Sequence, residues 1–373
     1  MANNGFEQPV FKIQSDEMQR LLDALRQNGY RTLGPIIKDE AIVYDEISTV
    51  GDLPRGWTDE QGPASYRLVK RNDDAYFGFN VPAQSWKKFL YPSERELFRV
   101  RRDSRVQSPS ENRESSLKYA FIGVRPCELK AISIQDRVFT STEYKDESYS
   151  GIRHGLFIVA VNCTSSGDDC FCASMKTGPM AKRHFDLSLT EVIAPSEHYF
   201  LVEHGNELGA SFVRGLNATE ASEAEMNVAG DLIERAGKQT RRIEIDRTPE
   251  LLSARLDHPE WNVVAKKCLT CGNCTLVCPT CFCSTVEDTT DLIGSFATRR
   301  RKWDSCFTLD FAKVAGGNFR MTSRSRYRQW VTHKLSTWVE QFGTLGCVGC
   351  GRCITWCPVG IDIISEVQKI TET

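Results

Sequence analysis

The chain has 373 residues, 40% hydrophobic, 10% aromatic and 26% charged, which is too apolar for a disordered chain and enough to bury cores in two or three domains. Its 47 basic and 49 acidic side chains leave a formal charge of -2, so no global basic field attracts nucleic acid or anionic lipid. Fifteen cysteines, an odd and unusually high count, exclude a purely disulfide-based framework.

The start, MANNGFEQPV, lacks the basic stretch and apolar run of a secretory signal. No apolar run approaches the roughly 20 residues of a membrane span, so the expected location is cytoplasmic, without membrane contact. Ser15, Asp16 and Glu17 can open a helix that places Met18, Leu21, Leu22 and Leu25 on one face and ends at Gly29. Short strands are expected at 41–44 (AIVY) and 75–79 (AYFGF). Residues 119–123 read as an apolar strand that runs through Val124, Arg125 and Pro126 into Cys127. Helical spacing of Leu129, Ala131, Ile132, Ile134 and Val138 follows, and a second strand over 156–161 leads to Asn162 and Cys163. This is a candidate βαβ unit. Parallel pairing of its strands would bring their C-terminal ends together, where open α/β sheets place ligands.

Residues 186–204 read as a hairpin turning at Ala194, Pro195 and Ser196, and 217–237 as a helix. Thr248 with Pro249, and Asp257 with Pro259, can start two more helices, the second delivering the chain to Cys268. The expected fold class is α+β. A mixed α/β domain over 1–245 carries a βαβ-like cluster site, and a mainly helical dicluster ferredoxin-like domain over 246–373 carries an insertion at 279–346.

Cysteine is absent from residues 1–126 and from 173–267. Cys268, Cys271, Cys274 and Cys278 followed by Pro279 have the spacing C-x2-C-x2-C-x3-C-P, which Cys347, Cys350, Cys353, Cys357 and Pro358 repeat. In two-cluster ferredoxins the first three cysteines of each run hold one [4Fe-4S] cluster and the fourth ligates the other. The expected sets are therefore Cys268, Cys271, Cys274 and Cys357 for one cluster, and Cys347, Cys350, Cys353 and Cys278 for its neighbour. Structural zinc would use paired CxxC units and leaves this duplication unexplained. Gly272, Gly346, Gly349 and Gly351 can bring backbone close to cluster sulfurs. Cys127, Cys163, Cys170 and Cys172 offer four thiols for a third cluster, with a zinc site or redox thiol pair as alternatives.

Cys281, Cys283 and Cys306 are left over; buried thiols, ligands of a fourth cluster with one non-cysteine ligand, or an exchange of places with the N-terminal set are the readings open to them. From 284 to 346 ten basic residues face six acidic ones, with Arg299, Arg300, Arg301 and Lys302 contiguous and Arg320, Arg324, Arg326 and Arg328 among aromatics. That excess suits compensation of cluster charge or docking of an acidic partner, a plain solvated face, or a single-stranded nucleic-acid surface. No G-x-G-x-x-G follows an expected strand and no P-loop occurs. His154, His184, His198, His204, His258 and His333 are scattered, without the i, i+4 spacing of a zinc hydrolase helix.

Taken together, the stretch from Gly123 to Ala131 (GVRPCELKA), Asn162-Cys163 through Cys170-Phe-Cys172, CLTCGNCTLVCPTCFC, Trp303-Asp-Ser-Cys306-Phe307 and CVGCGRCITWCPVGIDI resemble one family. It comprises the iron-sulfur β subunits of soluble multi-subunit [NiFe] hydrogenases (sulfhydrogenases) and their relative, the electron-transfer subunit of anaerobic sulfite reductase. The resemblance implies an electron-transfer subunit with three [4Fe-4S] clusters, itself without a catalytic residue. It would connect a flavin subunit handling NAD(P)H to the small and large [NiFe] subunits. The chain lacks the paired terminal CxxC motifs that ligate nickel in large hydrogenase subunits, so hydrogen activation would belong to a partner. An iron-sulfur nucleic-acid-binding protein is the alternative from another class, motivated by the basic insertion.

Overall fold

The computed structural model describes residues 5–6, 9–101, 106–107, 117–141, 143–195 and 197–372. Ser196 of the expected hairpin turn, and residues 1–4, 7 and 8 of the start, lie outside them.

In chain order the first part comprises β1 (Val10–Gln14), α1 (Glu17–Gln27), β2 (Tyr30–Lys38), β3 (Ala41–Glu46), β4 (Trp57–Gly62), β5 (Ser65–Lys70), α2 (Lys87–Leu90), β6 (Glu94–Arg101) and β7 (Val106–Gln107). Then come β8 (Lys118–Val124), α3 (Pro126–Thr140), α4 (Glu147–His154), β9 (Phe157–Val161), β10 (Leu187–Ala194), β11 (Glu197–His204), α5 (Glu207–Arg214), β12 (Thr219–Glu220) and α6 (Glu223–Ala236). The second part holds α7 (Thr248–Ala254), α8 (Glu260–Lys267), α9 (Asn273–Leu276), β13 (Ser284–Thr290), β14 (Phe296–Trp303), α10 (Ser323–Thr332), α11 (Trp338–Phe342), α12 (Arg352–Thr355) and α13 (Ile363–Glu372).

Eight strands form one sheet in the order β12-β1-β11-β10-β9-β8-β2-β3. The neighbours β2, β8, β9 and β10 run parallel, and β10 and β11 make the expected antiparallel hairpin. The βαβ reading holds: β8 and β9 are parallel neighbours joined through α3 and α4. Alternation along the central strands explains why both sheet faces are covered. Ala120, Ile122, Phe157, Val159 and Val161 pack with α1 and α5 on one face. Phe121, Val124, Ile158 and Ala160 pack with α3 and α4 on the other. Each large apolar side chain among these, fully buried, contributes about 1.5–3 kcal/mol.

The expected strand at 75–79 is absent, although Ala75, Tyr76, Phe77 and Phe79 are buried. The Glu191 carboxylate accepts the backbone N–H groups of Tyr76 (2.7 Å) and Phe77 (2.9 Å), and Arg125 takes the carbonyls of Phe77 and Phe79, both at 2.6 Å. Side chains thus satisfy the polar backbone that a ladder would otherwise have to pair. The expected helix over 217–237 resolves into the short strand β12 and then α6, which Ser222 and Glu225 cap reciprocally.

The second part has its own core around Trp261, Tyr327, Trp330, Ile354, Ile363 and Val367, with Cys268, Cys274, Cys306, Cys347, Cys353 and Cys357 packed against it. Its insertion is not purely helical. β13 and β14 form a hairpin, and β14 also pairs with β6 from the first part, so the two parts share a sheet as well as an interface.

Candidate iron-sulfur centres

The N-terminal thiols stand where the parallel strands end. At Gly123 (φ +90°) the β8 ladder shifts register against β9, the kind of irregularity that re-aims a chain. A Cβ there would come within 3.0 Å of the Phe77 ring. Arg125 then leaves the strand in extended conformation, and Pro126 opens α3 with Cys127 in its first turn. Next door, β9 ends at Asn162, whose amide donates to Thr190 Oγ1 (2.8 Å) and whose carbonyl Oδ1 accepts from Ala181 N–H (2.7 Å). That fixes the exit toward Cys163. Arg125 binds the Asn162 carbonyl (3.3 Å) and lies beside the Cys163 thiol.

The segment 163–172 folds back over this sheet end. Cys170 N–H donates to Gly167 O (3.0 Å), and Phe171 between Cys170 and Cys172 inserts into the core of the second part. Cys127 lies within electrostatic reach of Cys172, and Cys170 of both Cys172 and Cys163. Cys172 thus links Cys127 to Cys163 and Cys170. Burial pushes all four up, Cys172 to about 12, because a thiolate is poorly solvated there.

The two C-terminal runs repeat in three dimensions as they do in sequence. Gly272 (φ +75°) leads into the one-turn α9 with Cys274, and Gly351 (φ +77°) into the one-turn α12 with Cys353. The Asn273 amide donates to the Trp356 carbonyl and ties the two turns together. Cys268, Cys271, Cys274 and Cys357 line one recess, with Cys353 at its inner side and walls of Phe307, Tyr327, Trp330 and Ile361. Cys271 is exposed at its rim. Cys347, Cys350, Cys353 and Cys278 form a second neighbourhood, each of the first three within electrostatic reach of Cys278. Among the described residues no three His, Cys, Asp or Glu side chains converge on a single-ion site. The thiols of the recess surround a space instead, and an all-sulfur donor set with apolar walls suits a [4Fe-4S] cluster.

The three sets adjoin in series. Cys127, Cys172 and Cys350 share one buried apolar cluster with Val81, Ile134, Trp338 and Val348, and Cys353 lies within reach of Cys274. Gly349 makes the first junction possible. Its φ is +68°, its carbonyl accepts Phe171 N–H (2.9 Å), and a Cβ would come within 2.6 Å of Cys172 N. The close approach expected of Gly349 is thus to the backbone of the N-terminal cysteine loop.

Residues between and beside the motif cysteines complete the site. Glu128 and Arg352, both fully buried, pair at 2.7 Å across the two parts. Arg352 also donates to the carbonyls of Pro82 (2.6 Å) and Gln84 (3.2 Å). Lys87 and Lys334, buried against the turn at Cys278, carry no motif signal, whereas Glu128 and Arg352 lie inside the quoted motifs beside Cys127 and between Cys350 and Cys353. The leftover thiols pair locally: Cys281 with Cys278, and Cys283 with Cys306, across the open end of the β13–β14 hairpin, where Asp304 N–H donates to Cys283 O (2.9 Å). The Cys306 hydrogen bond draws the Cys283 thiol down to about 7.

The contiguous basic run 299–302 is paired with carboxylates. Arg299 pairs with Asp288, Arg300 with Glu94, Arg301 with Asp146 and Lys302 with Glu287. Arg324 and Arg328 meet Asp257, and Arg326 donates to the Phe307 carbonyl. Glu94, Asp146 and Asp257, from outside the insertion, thus answer part of its positive excess. Among the described residues no helix is long and apolar enough to cross a membrane.

A family model described as "4Fe-4S dicluster domain" matches residues 267–361, the segment that carries this duplicated thiol geometry. The whole chain is similar to the β subunit of sulfhydrogenase 2 of Pyrococcus furiosus, at 27% identity over 366 residues, 97% of this chain and 98% of the relative. That similarity covers the N-terminal part as well as the segment matched by the dicluster model.

Proposed function

We propose that this chain is the electron-transfer subunit of a cytoplasmic hydrogenase complex, holding three [4Fe-4S] clusters between a flavin/NAD(P)H-binding partner and the small and large [NiFe] subunits. Cys127, Cys163, Cys170 and Cys172 would hold the first cluster. Cys278, Cys347, Cys350 and Cys353 would hold the middle one, and Cys268, Cys271, Cys274 and Cys357 the outer one, in domains spanning 1–245 and 246–373. Clusters in these sites would each carry one electron at a time, which separates two-electron flavin chemistry from the metal centre in space.

The observation that carries this reading is the serial placement of the three thiol sets, joined at Cys172–Cys350 and at Cys353–Cys274. The residues of the chain supply position. The parallel strand ends fix Cys127 and Cys163, the paired one-turn helices fix Cys274 and Cys353, and apolar walls limit water around the recess. Cys281, Cys283 and Cys306 act as structural thiols, so no fourth cluster is assigned to them.

Anaerobic purification from the native host tests the proposal. Iron on the order of twelve atoms per chain, three clusters of four, together with co-purifying flavin and nickel subunits, is the expected result. A sirohaem subunit in their place would reassign the chain to a sulfite-reducing complex with the same internal wiring. About eight irons would remove the N-terminal cluster.

A further inference from the structure

Two buried ammonium groups converge on the turn that carries Cys278. Lys334 lies in the π-helical stretch His333–Thr337 between α10 and α11, a rare geometry that recurs at functional sites. Its Nζ donates to Cys278 Sγ (3.1 Å), Thr280 Oγ1 (3.0 Å) and the Gly346 carbonyl (3.1 Å). From the opposite side Lys87 donates to the carbonyls of Leu276 (3.4 Å), Cys278 (3.0 Å) and Cys281 (3.1 Å), and its ammonium sits 3.9 Å from the centroid of the Trp303 ring. Lys87 and Lys334 are 3% and 2% exposed, and among the described residues neither pairs with a carboxylate. A buried cation without a counter-charge costs several kcal/mol, a cost that a negative group beside it offsets. The thiolates at Cys278 and its neighbours are the acidic groups within reach.

The other two thiol sets are served differently. Cys172 Sγ accepts from the neutral amide of Gln239 (3.2 Å), Cys268 Sγ from Thr270 N–H (3.4 Å) and Cys357 Sγ from Ile361 N–H (3.3 Å). The guanidinium beside Cys163, Arg125, hydrogen-bonds that thiol as well as three backbone carbonyls, so the N-terminal set faces one buried cation where the Cys278 turn faces two. Hydrogen bonds to cluster sulfurs and net local charge are the protein's levers on reduction potential, and they act strongly in a low-dielectric interior.

We infer that Lys334 is a positioning residue that raises the reduction potential of the middle centre, held by Cys278, Cys347, Cys350 and Cys353, so that it is the first of the three to be reduced, with Lys87 acting in the same direction through the carbonyls of the Cys278 turn. Reduction adds one negative charge to the group these thiolates hold. A fixed ammonium in hydrogen-bond contact with one of them stabilises the reduced form more than the oxidised form. The inference rests on the proposed assignment of Cys278 to the middle set.

Potentiometric EPR titration of the anaerobically purified complex tests it, with iron content measured on every variant. In Lys334→Gln the reduced-to-oxidised ratio of one centre at a fixed potential should fall tenfold or more, equivalent to about 59 mV for a one-electron couple. The other two centres should keep their potentials, and Lys334→Arg should remain near the parent. A full-iron Lys334→Gln that titrates like the parent, or that shifts all three centres equally, overturns the inference. Should Lys334→Gln fail to load iron, Lys87→Met decides: a fall at the same single centre supports the inference, and no fall refutes it. Cys278→Ser separates the two layers of argument. If it changes the spectrum of the centre that responds to the lysines, the ligand assignment stands; if a different centre changes, the assignment fails and the inference falls with it.

Discussion

The two cysteine regions hold similar thiol sets by different means. In the C-terminal region each run is a local device: a left-handed glycine, a one-turn helix and a following proline place three thiols within about a dozen residues. The N-terminal set is assembled at long range from the start of α3, the end of β9 and a loop that folds back, with a parallel sheet as scaffold. The first kind is repeated and therefore readable from spacing. The second depends on strand order, which no spacing encodes, and on the C-terminal region itself, because Phe171 and Cys172 rest against Gly349 and the core beyond it.

The largest effects should come from breaking the local device. Cys350→Ala should remove about four irons from an expected total of about twelve, leaving the EPR signals of the other centres. Retention of the full iron complement would show that Cys350 is not a ligand.

Next in size is the buried pair that welds the regions together. Glu128→Ala leaves Arg352 buried and uncompensated and should destabilise the folded chain by about 3–5 kcal/mol, whereas removing both charges with well-packed apolar side chains should recover much of that loss. Chemical denaturation of the single and double variants measures this. Equal stability of Glu128→Ala and the parent would mean that the regions dock without the pair.

Gly349→Ala probes the same junction sterically. Its Cβ would meet the Cys172 backbone at 2.6–2.7 Å at a φ of +68°, so a loss of about 1–3 kcal/mol is expected, together with perturbed spectra of both the N-terminal and the middle centre. An effect confined to one centre would show that the two sets do not share this contact.

The smallest effect lies far from the thiols, as a control for the comparison. Glu225 is held down to about 2, first by its hydrogen bond with Lys12, against an ordinary value of 4.5. A depressed carboxyl contributes stability that is present above about pH 4.5 and is lost as the pH falls through about 2. Because the pair is near the surface, Lys12→Met should cost less than about 1 kcal/mol at pH 7, and its difference from the parent should shrink below about pH 4.5. Thermal melts at about pH 7 and about pH 3 check both points, and cluster spectra should be unchanged.

Much of this architecture was legible beforehand for identifiable reasons. The βαβ unit was visible because β8 and β9 are short apolar runs with a helical pattern between them, and the β10–β11 hairpin because two such runs meet at a proline turn. Residues 75–79 misled because their burial mimics a strand while Glu191, more than a hundred positions away, supplies the hydrogen bonds. The contiguous basic run 299–302 could not show its counter-charges, because some come from elsewhere: Glu94 on β6 and Asp146 ahead of α4. Lys334 gave no warning, since a lone lysine in a polar stretch reads as surface until a π turn carries it against Cys278.

By itself the sequence pointed to the chemistry: repeated spacing limits which thiols one short turn can bring together, because a turn of given length admits few geometries. Tertiary structure alone decided the order of the three sets, the Glu128–Arg352 weld between them and the cations that surround the middle one. Those features depend on which surfaces meet, and the free energy of a buried charge or a close backbone contact is set by what the fold places opposite it.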